Sequence, residues 1–182
     1  MTSAAIPAVA SDEELMLDLR DGGDGGSTLF ERYREPIWRF FRRRIVDPGK
    51  AEELAQDVFT AMLEAAPRYQ PLAPFRSYLF GIAYNVLMAS QRRGHLVTAP
   101  LDDDIAGDRA DADDALWVRH ALSRLESTDR EVLMLREYEQ LSYQEIAEVQ
   151  RIPLNTVRSR LFRARTALRD ALLSRPVREE HP

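Results

Sequence analysis

The chain has 182 residues, 45% of them hydrophobic and 30% charged, with no cysteine and a formal net charge of −5. That length suits one ordinary domain or two small ones. The lack of cysteine excludes disulfides, thiolate metal sites and a cysteine nucleophile. The three histidines, His95, His120 and His181, are scattered without ligand spacing, so no metal or cofactor is expected. No apolar run approaches the ~18–20 residues of a membrane span, and no membrane contact is expected. The opening "MTSAAIPAVA" has neither a basic start nor a long apolar core, and reads as a tail rather than a signal peptide. A reducing, cytoplasmic setting is the expectation.

Strand signals are nearly missing, and apolar residues recur at helical spacing. A first helix is expected from Asp12 as N-cap, carrying Leu15, Leu17 and Leu19 to the glycine cluster Gly22–Gly26. A second begins near Ser27, carries Leu29, Phe30, Tyr33, Ile37, Trp38, Phe40 and Phe41, and ends near Asp47–Pro48. Pro36 should kink or restart it. A third, "AEELAQDVFTAMLEAA", places Leu54, Val58, Phe59 and Met62 on one face and Glu52, Glu53, Gln56 and Asp57 on the other. Pro67 stops it. A fourth runs from about Phe75 to Arg93.

The character then changes. "LDDDIAGDRADADD" has seven aspartates and one arginine. It cannot bury a core, and it reads as a flexible acidic linker. Beyond it come "DALWVRHALSRL" and then "STDREVLMLREY", where Thr128 and Glu131 have capping-box spacing. "SYQEIAEVQ" repeats that spacing in Ser142 and Glu145. "RIP" is a turn, and "LNTVRSRLFRARTALRDALL" is the last helix. The expected fold is therefore all-α. It has two small helical domains, 12–94 and 114–174, joined by a linker at 95–113, with tails at 1–11 and 175–182. The two domains are expected to fold independently.

The last two helices and their short turn form a helix-turn-helix. Ile146, Ala147 and Val149 point inward from its first helix, and Val157, Leu161, Ala164 and Leu168 from its second. The opposite stripe of the second helix is Arg158, Ser159, Phe162 and Arg163, flanked by Arg160 and Arg165. Between Arg151 and Arg169 the acidic chain places six arginines and no carboxylate. A helix fits the DNA major groove, where arginine pairs with guanine edges and an exposed ring meets a thymine methyl. Flanking arginines neutralise phosphate. The first domain has its own arginine–aromatic mixtures, "WRFFRRR" and "FRSYLFGIAYNVLMASQRR", of a kind that binds single-stranded nucleic acid. The acidic, amide-bearing face of the third helix suits a protein partner better.

Three stretches carry a resemblance to a known family. "AEELAQDVFTAML", "FRSYLFGIAYNVLMASQRR" and "LSYQEIAEVQRIPLNTVRSRLFRAR" resemble, in order, the polymerase-docking helix, the promoter-melting helix and the terminal helix-turn-helix of extracytoplasmic-function RNA polymerase sigma factors. The resemblance covers roughly Asp12 to Leu173. It implies core RNA polymerase and promoter DNA as partners, an anti-sigma protein as regulator, and no enzymatic activity. It implies that Glu53, Gln56 and Asp57 meet the polymerase. It assigns the minus-ten element to Arg76, Ser77, Tyr84, Asn85, Arg92 and Arg93. It assigns the minus-thirty-five element to Thr156, Arg158, Ser159, Arg160, Phe162, Arg163 and Arg165. Departures are Lys50 before "AE", Arg151 and Asn155 in place of frequent glycines, and Tyr84 where arginine is common. If Arg151 is left-handed, it is strained by about 1 kcal/mol. The rival reading is a stand-alone helix-turn-helix regulator, which would leave the third helix and the linker without a role. An enzyme is disfavoured by the lack of a glycine-rich phosphate loop or a nucleophile–base pair.

Overall fold

The computed structural model describes residues 10–94 and 109–174, all of the regular structure being helical. The tails and the larger part of the expected linker lie outside the described residues. Helix α1 spans Asp12–Arg20, α2 Gly25–Arg42, α3 Pro48–Ala65 and α4 Phe75–Arg92. A 3-10 turn, Ala66–Arg68, follows α3 where Pro67 is expected to end it. After the linker come α5 Arg109–Ser123, α6 Ser127–Glu137, α7 Tyr143–Gln150 and α8 Leu154–Leu173. Helix α5 begins five residues before the expected linker boundary, at Arg109.

The N-cap of α1 is Ser11, not Asp12. Its hydroxyl accepts from the Glu14 amide while the Glu14 carboxylate accepts from the Ser11 amide. Asp12 instead accepts from Arg32 at 2.6 Å and from the Tyr33 hydroxyl at 2.5 Å, tying α1 to α2. Met16, rather than the three leucines, is the fully buried residue of α1. Gly25 lets α2 start against α1, because a Cβ there would lie 2.1 Å from the Leu15 carbonyl oxygen. Helix α2 passes through Pro36 without a break. Tyr33 before the proline and Ile37, Phe40 and Phe41 after it are buried on one face, which keeps both halves in line. Leu54, Val58, Phe59 and Met62 of α3 and Phe75, Leu79, Phe80 and Ala83 of α4 complete the first core.

The second domain packs α8 on α5, α6 and α7 through Val132, Leu135, Ile146, Val157, Leu161 and Ala164, all nearly inaccessible. The Ser142–Glu145 capping box forms as expected. The Thr128–Glu131 box does not. Helix α6 has Glu126 at its N-cap without a side-chain bond, and Thr128 donates to the Glu126 carboxylate instead. Glu131 is engaged elsewhere, by Arg44 of the other domain.

The two domains are packed together in the free chain, contrary to the expectation of independent modules. Arg44, just past α2, is 6% exposed and Glu139, in the α6–α7 turn, 2%. The Arg44 Nε donates to both Glu131 oxygens at 3.0 and 3.2 Å, and its Nη1 to Glu139 at 3.2 Å and to the Phe40 carbonyl at 2.7 Å. Its guanidinium also sits 3.8 Å from the Phe40 ring centroid. The neighbouring Arg43 lies 3.6 Å from Glu139 and over the Tyr138 ring.

Two predictions follow from these backbone and charge placements. Arg151 closes α7 at φ 54°, ψ 46°, the left-handed region. Arg151→Gly removes that strain and, after the entropy cost of glycine, should stabilise the second domain by about 0.5–1 kcal/mol, seen as a Tm rise of a few degrees. Arg44→Met should open the domains rather than unfold them. Leaving two carboxylates buried beside a neutral side chain costs about 3–5 kcal/mol, and separation relieves it by returning them to water. The radius of gyration in solution scattering should rise while helical circular dichroism stays constant.

Candidate nucleic-acid interface

Helix α8 is set by the turn before it. Because Arg151 is left-handed, the Ile152 amide can turn back to the Ala147 carbonyl at 3.0 Å. Pro153 then starts α8, its carbonyl accepting from Thr156 and Val157. With Val157, Leu161 and Ala164 buried at 0–1% exposure, the opposite stripe must face out. Arg158, Ser159, Phe162 and Arg163 are all exposed, and Phe162 is 73% exposed. Phe162 is a large ring left open to solvent on the face opposite the buried one, beside Arg158, Ser159 and Arg163.

The arginines of this stripe are not equivalent. Among the described residues, Arg158 donates to Asn155 of its own first turn, at 3.1 Å. Arg163 gives Nε and Nη2 to the buried carboxylate of Asp129 on α6, at 2.8 and 2.7 Å. Arg165 donates to Glu137 at 2.8 Å and to the Tyr143 hydroxyl at 3.1 Å. Arg160 is half-buried and turned to the first domain. With Arg43, Arg44, Arg130, Tyr84, Gln91 and Gln150 it lines an interdomain cavity of about 220 Å³. Thr156 is half-buried, and its carbonyl accepts from Ser159.

The α4 residues meet the second domain. Arg76 donates from Nε to the Glu139 carbonyl at 3.0 Å and covers the Phe80 ring at 4.9 Å. Ser77 is buried and its hydroxyl donates to the Glu145 carboxylate of α7. Burial raises the Glu145 pKa, but the bonds from Ser77 and Ser142 win, and the net shift is downward. Tyr84 is half-buried near Glu131, and burial pushes its hydroxyl up. Asn85 is exposed at the edge of a cleft of about 520 Å³, formed by the α3–α4 loop on one side and Glu145, Glu148, Val149 and Arg151 on the other. Arg92 and Arg93 are exposed at the C-terminal end of α4, away from this contact.

The outward face of α3 is open: Glu52, Glu53, Gln56 and Asp57 are all exposed, and Glu53 is joined to Lys50 at 2.6 Å. Among the described residues no group of acids and histidines could hold a metal, and no helix is long and apolar enough to cross a membrane. Arg44, Asp129, Glu131 and Glu139 were not legible as site residues. Nothing in local periodicity marks a charge whose partner lies 87 to 95 positions away.

Two helical domains, one ending in a helix-turn-helix with an exposed arginine–aromatic stripe, define a promoter-reading protein of the sigma class. Residues 29–95 match the model of Sigma-70 region 2, and residues 115–168 that of Sigma-70, region 4. The RNA polymerase sigma-H factor of Pseudomonas aeruginosa is 31% identical over 167 residues, 79% of this chain and 84% of that one. The ECF RNA polymerase sigma factor SigC of Mycobacterium tuberculosis is 30% identical over 177 residues, 90% and 94% of the two chains. The solved structure of CnrH in complex with the cytosolic domain of CnrY shares the fold, with a TM-score of 0.68 at 24% identity over 92% of this chain and all of that one. Sigma factor RpoE with the anti-sigma factor NepR from Bartonella quintana does so with a TM-score of 0.61 at 20% identity, over 82% and 95%. The chain belongs to the ECF group of the sigma-70 family. It is a non-enzymatic sigma factor that binds RNA polymerase and directs it to promoters.

The Asp129–Arg163 pair generates a prediction. Asp129→Ala should release a cation on the outward stripe of α8. Non-specific DNA binding by the protein should strengthen, and the slope of log K against log salt should steepen by about one. Adding Arg163→Ala should return the slope to its starting value. An unchanged slope in Asp129→Ala would mean that Arg163 meets phosphate without leaving its carboxylate.

Proposed function

We propose that the promoter is read by two surfaces and the polymerase by a third. The stripe of α8 reads the minus-thirty-five element: Arg158, Ser159, Phe162 and Arg163 face bases, while Thr156, Arg160 and Arg165 serve the backbone. Arg158 and Arg163 are five residues apart, ~7.5 Å along the helix, about two base-pair steps. Each can therefore address a different base in one groove. The observation that carries this reading is the open, basic stripe around Phe162 opposite a fully buried face.

Arg76, Ser77, Tyr84 and Asn85 on one side of α4, with Arg92 and Arg93 at its end, read and open the minus-ten element. The exposed Glu53, Gln56 and Asp57 of α3 dock on core polymerase. The protein acts in the cytoplasm and answers to an anti-sigma protein, a reading supported by the RpoE–NepR complex of similar fold.

The test is transcription by the reconstituted holoenzyme from a library randomised upstream. Arg158→Ala should cost roughly 1–3 kcal/mol and relax preference at one or two adjacent positions. Arg160→Ala should weaken promoter binding evenly across sequences and lower the salt slope by about one. Even losses from both variants would reduce α8 to a source of charge.

A further inference from the structure

We propose that the seam between the two domains holds a small-anion site: the cavity bordered by Arg43, Arg130, Arg160 and the N-terminal end of α6 binds a phosphate or diphosphate group, free or carried on a small molecule. The inference goes beyond promoter reading and does not rest on it.

Three observations carry it. The first is an excess of cation. Four guanidiniums line this cavity of about 220 Å³, Arg43 and Arg44 from one domain and Arg130 and Arg160 from the other. Glu131 is the one carboxylate in the lining, and Glu139 is the one other acid that pairs with these arginines among the described residues. Two positive charges are left over, which matches a phosphate dianion. Arg44 takes most of what the two carboxylates offer. Arg43 reaches Glu139 only at 3.6 Å, and burial lowers its pKa by more than that carboxylate raises it. Arg130 and Arg160 have no side-chain hydrogen bond or ion pair among the described residues. The acids beside Arg130 in sequence, Glu126 and Asp129, are bonded to Thr128 and Arg163 and do not line the cavity.

The second is a set of polar groups with nothing to bond. Helix α6 has no side-chain cap, and its first intrahelical bond runs from the Arg130 amide to the Glu126 carbonyl at 2.9 Å. The amides of Ser127, Thr128 and Asp129 thus have no acceptor within the helix. Ser127 and Thr128 line the cavity, and such a helix end favours an anion. Two buried atoms of the lining residues are unpartnered as well. Arg44 Nη2 lies 3.0 Å from a Glu131 oxygen without forming a hydrogen bond, and Gln150 Oε1 has no donor. Buried groups of this kind call for a partner. An oxyanion accepts from guanidinium, and a water in its shell donates to Gln150.

The third is size and access. The cavity is several times the ~30 Å³ share of one water, so a tetrahedral oxyanion fits with part of whatever carries it. Leu87, Met88 and Met134 supply apolar wall for that body. Gln91, Ser123 and Ser127 are exposed, which gives the site a mouth to solvent. Guanidinium forks match phosphate oxygens, and here they converge from both domains. Anion and closed seam therefore stabilise one another by linkage.

The test is calorimetric titration of the full chain with inorganic pyrophosphate, at an ionic strength held constant with sodium chloride. Saturable binding is expected, with a Tm rise of several degrees at saturation. Arg130→Gln removes a cation that has no partner to lose, so the fold should stand, and affinity should fall about tenfold. Arg158→Ala, which takes a cation from the α8 stripe, should leave pyrophosphate affinity unchanged. Equal losses in the two variants, or no saturable binding by the unaltered chain, would overturn the site. A second measurement needs no variant. Arginine-directed labelling with phenylglyoxal, read by mass spectrometry, should show pyrophosphate protecting Arg130 and Arg160 while Arg158 stays reactive. Protection of Arg158 instead of Arg130 would place the anion on the α8 stripe and sink the proposal. A nucleoside diphosphate titrated alongside separates the sources. Affinity equal to that of pyrophosphate means that the anion alone is recognised. Affinity about tenfold higher means that the carrier meets the wall of Leu87, Met88 and Met134.

Discussion

The arrangement of this protein depends on where one guanidinium can be buried. Arg44 is nearly inaccessible, and a lone buried charge of that kind would cost several kcal/mol. Its hydrogen bonds to Glu131, Glu139 and the Phe40 carbonyl meet that cost, and two of those acceptors belong to the other domain. Glu139 is equally committed. Burial pushes its pKa up, against the attraction of Arg44 and Arg43, so its charged form is tolerable only with those cations in place. Neither domain can satisfy its own buried ion without the other. Such a cluster adds little net stability, since its attraction is spent on desolvation, but it admits few alternative geometries. That combination suits a contact that must be definite yet separable.

The same cluster explains why identical sequence patterns gave different structures. Thr128-x-x-Glu131 and Ser142-x-x-Glu145 have the same capping-box spacing. The second forms both bonds. The first cannot, because α6 starts at Ser127 with Glu126 at its N-cap; Thr128 lies inside the first turn, and Glu131 takes the Arg44 fork instead. The helices themselves, the buried faces of α3 and α8 and the outward stripe around Phe162 were legible, because periodicity alone determines which face is apolar. The strain at Arg151 was legible only through the family resemblance, in which a glycine is frequent at that turn. Gln140 is also left-handed, at φ 57°, and nothing in its neighbours announced it. Long-range ion pairs leave no periodic trace, so the partners of Arg44, Arg76, Ser77 and Arg163 were invisible before the chain was folded.

The distribution of charge in the folded chain also resolves the contrast between an acidic protein and its basic last helix. Formal charge overstates how much of that helix is offered to DNA. Arg163 is bound by Asp129, Arg165 by Glu137 and Arg169 by its neighbour Asp170, while Arg160 faces the interdomain cavity. Arg158 is the stripe arginine held only by a neutral amide among its resolved bonds. Sequence-independent DNA affinity scales with the number of phosphates neutralised. An acidic chain whose arginines are largely paired internally therefore gains little from random DNA.

This pairing and the covered α4 face act in the same direction. Each engages donors within the chain itself, Arg163 and Arg165 on α8 and Arg76 and Ser77 on α4. The acceptors all belong to region 4: the Asp129 and Glu137 carboxylates for α8, and the Glu139 main-chain carbonyl and the Glu145 carboxylate for α4. Residues of α6, of the α6–α7 turn and of α7 thus hold side chains of both α8 and α4 in the folded chain. The outward face of α3 carries, among the described residues, the local Lys50–Glu53 contact. The outward face of α3 is therefore open in the free chain, whereas Arg76, Ser77 and Arg163 are each held by a carbonyl or a carboxylate of region 4.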